Sequence, residues 1–461
     1  MALLDPTDTR PIHFVGIAGA GMRALAELCL RRGVPITGCD ANPAAGADLG
    51  RLGVLVEPHD PQHVRGARAL VVTSAMPKDH PEITRAHELD IPVIRRAEAL
   101  GEVTAGRELV GIAGTHGKTT TTVMTAAALA AAGRDPTALA GGRVNAWGGN
   151  LLGGGDALYV VEADEYDRSF LALDPTVAVV NNIEADHLDI YTDLADIKRA
   201  FGQFVRGART VVLGADDAVA NSLSTPNTAE VIRFGIDSPD ARVVGSGLAL
   251  TAAGSSFHVV FDGQDLGRVA LRVPGRHNVL NALAALSSGL ALGAEVSAMA
   301  RGLASYSGVE RRFEPLGEVR GVVVVDDYAH NPGKVAAALA TARIAYPSRR
   351  LVVAFQPHLY TRTRDFATEF GATLAGADVV LLTDIYPARE RAISGVSAEL
   401  VGHALIAAGG TLSWLGARSA LAGALATRVR PGDVVLTVGA GDITKTGPEL
   451  LELLERLGRD P

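Results

Sequence analysis

The sequence predicts an α/β protein of about three domains with mostly parallel sheets. The chain has 461 residues, and a domain commonly contains about 100–200. Short apolar runs alternate with Ala/Leu-rich helical stretches, as they do in parallel α/β domains. The 52 glycines suit many tight turns between strands and helices. Hydrophobic residues make up 48% and charged residues 20%, which is typical of a globular chain.

The charge balance and the cysteine count exclude several classes of protein. The 43 basic and 51 acidic residues give a net charge of −8, which disfavours nucleic acid as the main partner. The two cysteines, Cys29 and Cys39, cannot form a disulfide framework, so a reducing compartment is expected. The first residues do not resemble a signal peptide, and polar residues interrupt the uncharged run 277–294. We therefore expect a cytoplasmic protein that binds neither nucleic acid nor membrane.

The strand pattern divides the chain into three blocks, with boundaries near residues 107 and 310. Strands predicted in the first block are 12–17, 34–39, 52–56, 69–73 and 91–94. Strands predicted in the second block are 108–113, 157–161, 176–181 and 210–213. Short alternating runs between about 231 and 273 indicate a small antiparallel insert. Strands predicted in the third block are 322–325, 351–355, 379–382 and 434–438.

The strongest local motif is a glycine-rich turn between a buried strand and a helix. Residues 114–119 read Gly-Thr-His-Gly-Lys-Thr, a shortened form of the phosphate loop whose first glycine would otherwise stand at Ile112. In such a turn, backbone N–H groups and the helix N-terminus converge on phosphate oxygens. Lys118 would reach the β and γ phosphates, and the Thr119 hydroxyl would bind Mg²⁺. The motif predicts ATP binding.

Acidic and histidine residues follow the next two predicted strands of the same block. Residues 162–165 read Glu-Ala-Asp-Glu, and residues 182–189 read Asn-Ile-Glu-Ala-Asp-His-Leu-Asp. The carboxyl ends of strands form the ligand crevice in open α/β sheets. A carboxylate and an imidazole beside a triphosphate are plausible metal ligands; a histidine ligand would indicate a second metal site or tolerance of Mn²⁺.

The glycines of the first block are less specific. Gly16, Gly19 and Gly21 form G-x-x-G-x-G rather than the dinucleotide motif G-x-G-x-x-G. Asp40 ends the second strand, near the distance at which an acidic residue holds a ribose hydroxyl. The loop could bind the diphosphate of a UDP-sugar or of NAD, or could merely pack the helix on the sheet.

Three strand ends of the third block carry a high density of polar side chains. They begin at Asp326, Gln356 and Asp384 and together contain Asp, His, Tyr and Arg. Such a group predicts substrate capture, and Arg362 could hold a carboxylate through two parallel hydrogen bonds.

In this order, the motifs resemble those of the Mur ligases of bacterial cell-wall synthesis over nearly the whole chain. The stretches that carry the resemblance are 14–22, 114–122, 162–165, 182–189, 274–282, 311–313, 326–330, 355–358 and 386–390. The resemblance implies a Rossmann-like UDP-sugar-binding domain over 1–107, a central ATP-binding ligase domain over 108–310, and a Rossmann-like amino-acid-binding domain over 311–461. It also implies ATP-dependent ligation of L-alanine to the lactyl carboxylate of UDP-N-acetylmuramate through an acyl phosphate. The cofactor would be Mg²⁺, with Mn²⁺ as a substitute, and the protein a monomer or weak homodimer.

The same resemblance implies roles for individual residues. The UDP-sugar would contact Gly16, Ala18, Gly19, Ala20, Gly21, Met22, Asp40 and Ser74. ATP would contact Gly114, Thr115, His116, Gly117, Lys118, Thr119 and Thr120, with His277, Asn278 and Asn281 around adenine. Metal would bind Thr119, Glu162 and His187. Arg311, Arg312 and Asp327 would reach the nucleotide and form the catalytic set with Lys118, Glu162 and His187. Tyr328, His358 and Arg362 would face the amino acid.

The sequence departs from the family pattern at two positions. The family often has His-His-Pro where this chain has His330-Asn331-Pro332, and often has Arg where this chain has Leu359. The second departure removes one cation from the expected amino-acid pocket, so Arg362 becomes the main candidate to bind the amino-acid carboxylate.

Three alternative functions remain open from the sequence. The first is the related ligase that recycles wall peptides by joining a tripeptide to UDP-N-acetylmuramate. The second is a nicotinamide-dependent dehydrogenase built on Gly16, Gly19 and Gly21, which leaves the phosphate loop unexplained. The third is an ATP-driven binding switch that ligates nothing.

Lys118→Ala tests the phosphate loop. We expect the variant to fold and to lose ATP turnover by orders of magnitude, because the ammonium neutralises charge on the transferred phosphoryl group. Circular dichroism checks the fold and phosphate release measures turnover. Near-normal turnover in the folded variant would contradict the assignment.

Overall fold

The computed structural model describes residues 3–73, 76–187, 190–388 and 390–458. The described chain forms two compact units. Unit 1 contains residues 1–248, 256–272 and 278–307, and unit 2 contains 249–255, 273–277 and 308–461. The domain boundaries near 107 and 310 stay predictions.

Unit 1 begins with a five-stranded parallel sheet in the order β3-β2-β1-β4-β5. Its elements are β1 (Ile12–Val15), α1 (Ala20–Arg31), β2 (Ile36–Cys39), β3 (Val56–Glu57), β4 (Ala69–Val72), α2 (Pro81–Glu88), β5 (Val93–Arg95) and α3 (Arg96–Thr104). The strand order reverses at β1, and a doubly wound sheet opens its ligand crevice at such a point. The N-terminal glycine loop, residues 16–21, follows β1 directly.

One strand prediction in this sheet is largely wrong. Residues 52–56 were expected to form a strand, but a 3-10 helix occupies Pro43–Leu52 and β3 contains only Val56 and Glu57. Pro43 starts the helix, and Gly53 ends it in the left-handed region at φ 81°. The backbone therefore turns where the apolar run alone suggested extension.

A ten-stranded sheet, in the order β15-β14-β13-β12-β11-β10-β6-β9-β7-β8, lies in unit 1 apart from residues 249–251 of β13 and 254–255 of β14. The strands are β6 (Glu108–Ala113), β7 (Thr137–Val144), β8 (Gly149–Leu152), β9 (Leu158–Glu162), β10 (Val177–Val180), β11 (Thr210–Gly214), β12 (Glu230–Gly235), β13 (Val243–Thr251), β14 (Gly254–Phe261) and β15 (Gln264–Leu271). The helices are α4 (Lys118–Ala131), α5 (Leu194–Phe204), α6 (Ala218–Asn221), α7 (Arg276–Ala291) and α8 (Val296–Ser305). Strand β6 lies parallel between β9 and β10, so the loop after β6 adjoins the acidic segments that follow both neighbours.

The antiparallel insert is smaller than the sequence indicated. Strand β12 runs parallel to β11 and extends the main sheet. Strands β13, β14 and β15 are joined by two-residue connections at 252–253 and 262–263, which only antiparallel neighbours can use. Strands β7 and β8 add a second antiparallel pair, which the sequence pattern did not indicate.

A continuous apolar core joins the two sheets of unit 1. Phe14 and Leu28 of the first sheet region belong to the same buried cluster as Tyr159 and Phe201 of the second. Helix α1 packs on β7 and β8, and the Arg32 guanidinium donates to the Gly155 carbonyl at 2.7 Å. Because apolar burial continues across both sheets, the first sheet and most of the second belong to one compact unit.

Unit 2 contains a six-stranded sheet in the order β16-β17-β21-β18-β19-β20. Its strands are β16 (Glu314–Val319), β17 (Val322–Asp327), β18 (Arg350–Phe355), β19 (Val379–Thr383), β20 (Leu412–Gly416) and β21 (Asp433–Val438). Its helices are α9 (Pro332–Ala345), α10 (Tyr360–Leu374), α11 (Glu399–Ala407), α12 (Arg418–Ala426) and α13 (Thr446–Leu457). All pairings are parallel except that of β16 with β17. The polar segments predicted after β17, β18 and β19 therefore lie at one edge of the sheet.

Three sheets with mostly parallel strands confirm the predicted α/β class. Over the described ranges, no helix combines the length and the apolar character needed to cross a bilayer.

Gly302→Ala tests the close packing of α8 on α4. A Cβ at Gly302 would overlap the Ala127 carbonyl oxygen and lie 2.8 Å from its carbon. Since this neighbour is helix backbone, we expect a loss of about 1–3 kcal/mol in unfolding free energy. Gly202→Ala in α5 is the control, because a Cβ there has open space and should stabilise the helix by about 0.5–1 kcal/mol. Denaturant unfolding measures both, and equal effects would contradict the packing.

Candidate functional site

The phosphate loop, residues 114–117, turns from the end of β6 into the first turn of α4. Gly114 and Gly117 have φ 140° and 78°, a region that glycine enters without steric cost. A Cβ at Gly114 would lie 3.0 Å from that of Asn181, and one at Gly117 would overlap the Asn281 side chain. Gly117 is the N-cap residue of α4 and has no side chain to cap it, so the first-turn N–H groups are directed toward the loop.

Lys118 is buried beside this loop and bonded to acidic neighbours. Its Nζ donates to both Glu165 carboxylate oxygens, at 2.6 and 2.8 Å, and to the Gly114 carbonyl at 2.9 Å. Burial by itself lowers the pKa of the Lys118 ammonium, but Glu165, Asp164 and Glu162 outweigh it, so the pKa is raised above its ordinary value. Lys118 therefore stays charged, and Glu165 occupies the position that an anionic ligand would take.

Thr119 and Glu162 form the oxygen pair expected to bind metal. The Thr119 hydroxyl donates to Glu162 Oε1 at 3.1 Å, and the Gly141 N–H donates to Glu162 Oε2 at 2.6 Å. A hydroxyl and a carboxylate next to a phosphate loop are the hard oxygen donors that Mg²⁺ prefers. The donor set fits a divalent cation at this position.

His187, the third expected metal ligand, has different contacts from Glu162. Its Nε2 lies 3.8 Å from Glu165 Oε1, and its ring meets that of Tyr166 edge to face at 5.1 Å. Its backbone is left-handed, with φ 54°. Glu165 thus lies between the lysine and the histidine and contacts both.

The remaining loop residues are fixed by the segment after β10. The His116 N–H donates to Asn182 Oδ1 at 2.7 Å, and its Nε2 lies 2.8 Å from Glu184 Oε2. The Thr115 hydroxyl accepts from the Glu184 N–H at 2.9 Å. Thr120 is buried in the first turn of α4.

The expected adenine residues are divided between the two units. Asn278 and Asn281 belong to unit 1, where the Asn281 amide nitrogen lies 3.4 Å from Asn278 Oδ1. His277 belongs to unit 2, where its Nδ1 lies 3.4 Å from the Thr341 hydroxyl. Burial lowers the pKa of His277 to about 4, so the imidazole is neutral near pH 7.

The N-terminal glycine loop opens onto a cavity of about 260 Å³ in unit 1. The residues that line the cavity from the loop and α1 are Gly16, Gly19, Ala20, Gly21, Met22 and Ala24. Arg96 lines it from α3, and Glu162 and Asp164 line it from the end of β9. The cavity therefore connects the N-terminal loop with the carboxylate that holds Thr119.

Ala18, within the loop, and Asp40, after β2, do not line the cavity. The Ala18 N–H donates to Asp40 Oδ2 at 3.0 Å, and Asp40 Oδ1 accepts from the Asn42 N–H at 2.9 Å. Asp40 thereby fixes the loop through a backbone group. Ser74 lies outside the described residues.

The next group in unit 2 lies around Tyr328, which follows the end of β17. It consists of Arg311, Arg312 and Asp327. The guanidinium of Arg311 donates to the Gly439 carbonyl at 2.7 Å and to Asp326 at 3.3 Å. Both arginines lie over the Tyr328 ring, at 4.7 and 5.2 Å from its centre. Burial raises the pKa of Asp327 to about 6, although Arg312 opposes the shift. These residues form one charged group around Tyr328.

His358 and Arg362 meet at the end of β18. Arg362 Nη1 lies 3.3 Å from His358 Nδ1, and Arg362 is buried. Since arginine only donates, Nδ1 is the acceptor nitrogen of the histidine. The His358 ring stacks on Tyr386 at 5.8 Å and lies 6.0 Å from His330, which joins the three polar segments of this sheet edge.

Both departures from the family pattern have local structural effects. Asn331 caps α9, since its Oδ1 accepts from the Lys334 N–H at 2.9 Å. Leu359 adopts φ 69° before α10 and donates its N–H to the Tyr386 carbonyl at 3.0 Å.

Several residues at the site were missed by the sequence analysis. Arg96 was not indicated by any motif, and the pairing of Glu165 with Lys118 arises only in the tertiary fold, although 162–165 was noted as an acidic cluster. Asn181 and Thr121 stabilise the phosphate loop from within: the Asn181 amide donates to Thr121 Oγ1 at 3.0 Å, and this hydroxyl donates to Asn281 Oδ1 at 3.2 Å. Asn181 and Asn281 are far apart in the sequence, so their spacing gives no sign that both contact Thr121.

A phosphate loop on a parallel sheet, and a second glycine loop on a cavity that Glu162 also lines, define a nucleotide-dependent enzyme of the α/β class. Three family models match the chain: "Mur ligase family, catalytic domain" over residues 11–108, "Mur ligase middle domain" over 112–289, and "Mur ligase, glutamate ligase domain" over 311–441. The chain belongs to the Mur ligase family.

Curated relatives match over nearly their full length. The UDP-N-acetylmuramate–L-alanine ligase of Cutibacterium acnes is 45% identical, with 98% of each chain covered. The ligase of the same name from Acidothermus cellulolyticus is 44% identical, with 96% of this chain and 95% of that protein covered.

Solved structures give the same family. The UDP-N-acetylmuramate–alanine ligase MurC of Thermotoga maritima matches with TM-score 0.82 and 28% identity, over 97% of this chain and 99% of that one. A murein peptide ligase of Psychrobacter arcticus matches with TM-score 0.72 and 26% identity, over 96% and 98%.

Thr121→Val tests the hydrogen bonds that stabilise the phosphate loop. The substitution keeps the shape but leaves two buried asparagine amides without this partner, so we expect a loss of about 1–3 kcal/mol in unfolding free energy and a raised KM for ATP. Thermal unfolding and ATP-dependent phosphate release measure the two effects.

Thr122→Val is the matched control for this test. Thr122 is equally buried in α4, but its hydroxyl has no hydrogen-bond partner among the described residues. Its replacement should therefore be neutral or slightly stabilising. Equal losses in the two variants would contradict the assigned role of Thr121.

Proposed function

We propose that the protein joins L-alanine to the lactyl carboxylate of UDP-N-acetylmuramate and converts ATP to ADP and phosphate. The observation that carries this proposal is the cavity shared by the N-terminal glycine loop and Glu162. The N-terminal glycine loop, which suits a diphosphate, and Glu162, which contacts the phosphate loop through Thr119, line the same cavity. A reaction between a UDP-sugar and ATP requires the two substrates to lie this close together. The named relatives, which cover 95% or more of each chain, support the same activity.

The UDP-sugar end of the site consists of the N-terminal loop and Arg96. Residues 19–22 begin α1, whose free N–H groups favour a diphosphate. The Arg96 guanidinium is close to this turn, since a Cβ at Gly21 would lie 3.1 Å from its Nη1. We assign Arg96 to the diphosphate and Asp40 to positioning the loop. Ser74 keeps its predicted role in the same subsite.

The ATP end consists of residues 114–120 with Asn278 and Asn281, and His277 keeps its predicted assignment to adenine. Lys118 must exchange Glu165 for phosphate oxygens when ATP binds, because one ammonium offers only three donors and Glu165 and Gly114 already use them. The neutral His277 and the two asparagine amides suit the uncharged adenine ring.

The oxygen donors of Thr119 and Glu162 fit Mg²⁺, with Mn²⁺ as a substitute and His187 as a further ligand. When bound, the metal supplies positive charge to the phosphate oxygens. Glu162 is positioned for this task by the Gly141 N–H.

The reaction proceeds in two displacements. A lactyl carboxylate oxygen forms a bond to the γ-phosphorus of ATP while the bond from that phosphorus to the ADP oxygen breaks, which gives an acyl phosphate and ADP. The free amine of L-alanine then forms a bond to the acyl carbon. The bond from this carbon to the phosphate oxygen breaks, phosphate leaves with the electron pair, and the amine loses its proton to solvent. Lys118 balances the anionic charge in the first displacement.

The unit 2 residues are assigned to the amino acid and the nucleotide. We assign Arg362 to the alanine carboxylate, since a guanidinium pairs with a carboxylate through two parallel bonds. His358 holds Arg362 through Nδ1, and Tyr328 keeps its predicted assignment to the amino acid. Arg311, Arg312 and Asp327 keep their predicted assignment to the nucleotide. We expect the enzyme to act in the cytoplasm as a monomer or weak homodimer.

Membership of a ligase family does not support the dehydrogenase or the binding switch as the function. The wall-peptide recycling ligase remains the main alternative, because the Psychrobacter arcticus relative is a murein peptide ligase. Phosphate release with UDP-N-acetylmuramate plus either L-alanine or the tripeptide, with mass detection of the product, separates the two. Release that requires L-alanine supports the proposal. Release with the tripeptide alone supports recycling, and release that ignores both acceptors overturns ligation.

Arg96→Ala tests the UDP-sugar subsite. Removing a charged partner of the diphosphate should raise the KM for UDP-N-acetylmuramate about 10–100-fold and leave the KM for ATP unchanged. Steady-state phosphate release measures both constants.

Arg95→Ala is the matched control. The Arg95 side chain is exposed and lies 3.5 Å from the Asp167 carboxylate, outside the cavity lining. Its removal should leave both KM values near wild type. An equal effect of the two substitutions would contradict the role of Arg96.

A further inference from the structure

A cluster of histidines, one cysteine and one glutamate lies in the first sheet of unit 1, apart from the residues of the proposed reaction. His13 is on β1, Cys39 ends β2, His63 follows β3, and Glu82 is in the first turn of α2. We name these four residues the β1–β2 cluster. His13, Cys39 and Glu82 are each at most 1% exposed.

Glu82 is the centre of the cluster. Its Oε1 lies 3.9 Å from His13 Nε2 and 3.7 Å from His63 Nδ1. The Cys39 thiol lies 3.1 and 3.2 Å from the two carboxylate oxygens. One ligand atom from each of the four residues fits within a mutual distance of 4.8 Å.

The inner nitrogens of both imidazoles have no hydrogen-bond partner among the described residues. His13 Nε2 and His63 Nδ1 are buried and point at Glu82. A buried ring nitrogen without a hydrogen-bond partner costs free energy, and a cation between these nitrogens and the carboxylate would remove that cost. The cluster therefore contains buried donor atoms that the protein itself leaves unsatisfied.

The outer nitrogens of the same two rings do have neighbours. His13 Nδ1 lies 2.8 Å from the Thr37 hydroxyl, and His63 Nε2 lies 3.5 Å from the Glu57 carboxylate. In protein metal sites, a ligating histidine almost always donates its other ring N–H to a carboxylate, carbonyl or similar group. Thr37 and Glu57 orient the rings so that the inner nitrogens face Cys39 and Glu82.

We propose that the β1–β2 cluster is a zinc site, with His13, Cys39, His63 and Glu82 as four ligands. Two imidazoles, one thiolate and one carboxylate match the ligand types and the number that Zn²⁺ takes in tetrahedral sites. Ligands around tetrahedral Zn²⁺ lie about 3.3–3.8 Å apart, so the side chains need to move inward by about 1 Å. The cysteine releases its thiol proton to solvent when the metal binds.

The site is coupled to the N-terminal glycine loop through Cys39. The Cys39 carbonyl accepts from the Gly16 N–H at 2.8 Å and from the Ile17 N–H at 3.1 Å. The next residue, Asp40, holds the Ala18 N–H. Zinc binding would therefore fix the backbone that supports the glycine loop. The site is structural, and its existence does not depend on the proposed ligase activity.

Metal uptake by the full-length protein tests the proposal. The chain is depleted with a chelator, then titrated with Zn²⁺ in the presence of saturating Mg²⁺ and ATP so that the nucleotide site is filled. We expect about one Zn²⁺ per chain by elemental analysis and a higher Tm with zinc. Co²⁺ in place of zinc should give the absorption of a tetrahedral cobalt–thiolate site.

Variants separate the site from adventitious binding. Cys39→Ser should lose the cobalt–thiolate absorption, and His63→Gln should lose the zinc-dependent rise in Tm. Thr37→Val, at an exposed position, should weaken zinc binding about 10–100-fold through the orientation of His13. His258→Gln removes an exposed histidine on β14 and should leave zinc binding unchanged.

Two results would overturn the zinc site. One is a folded, ATP-binding wild-type protein that takes up no zinc and shows no change in Tm. The other is retention of wild-type zinc affinity by both Cys39→Ser and His63→Gln. Glu162→Gln should keep the zinc, and its loss in that variant would assign the metal to the nucleotide site instead.

Discussion

The packing of α1 against β7 and β8 is the contact on which the geometry of unit 1 depends. The loop after β1 and the loop after β6 belong to different sheets, and each could bind a phosphate by itself. The shared apolar core holds the two sheets together, so the N-terminal glycine loop and Glu162 line one cavity. Without this packing, two anion-binding turns would exist, but they would not act on the same pair of substrates.

The electrostatics of the site follow from the sign of the substrates. The chain carries a net charge of −8, while ATP and the UDP-sugar are both anions. Positive charge is therefore local. Lys118 lies at the phosphate loop, Arg96 lines the cavity, and Arg311, Arg312 and Arg362 belong to unit 2. Lys118, Arg311, Arg312 and Arg362 each have a close polar or aromatic partner in the protein, which holds the cation in place.

Features that depend on local sequence were predictable, and features that depend on tertiary contact were not. The strands before the phosphate loop and before Glu162 lie within a residue of their predicted bounds, because apolar runs and glycine turns determine them locally. The run at 52–56 was misinterpreted because Pro43 and Gly53 set the backbone there.

The site itself divides in the same way. Lys118 and Thr119 are recognisable from the motif around them, whereas the partner of Lys118 is not, because Glu165 reaches it only through the neighbouring strand order. The β1–β2 cluster is a stronger case: its four residues are spread from position 13 to position 82 with no metal-binding spacing. The parallel strands and α2 bring them together, so no window of sequence could reveal the group.

Because Lys118 is paired with Glu165, an anionic ligand of the phosphate loop has to displace this carboxylate before it can contact the lysine. Both oxygens of Glu165 are engaged with the ammonium, in a buried position where a charged pair is costly to separate. An anion must replace all of these bonds at once to reach Lys118. A single phosphate ion, a product of the proposed reaction, offers fewer oxygens to replace them than a triphosphate does. A triphosphate bound along the whole loop brings several oxygens at once, so we expect the Lys118–Glu165 pair to favour ATP over free phosphate.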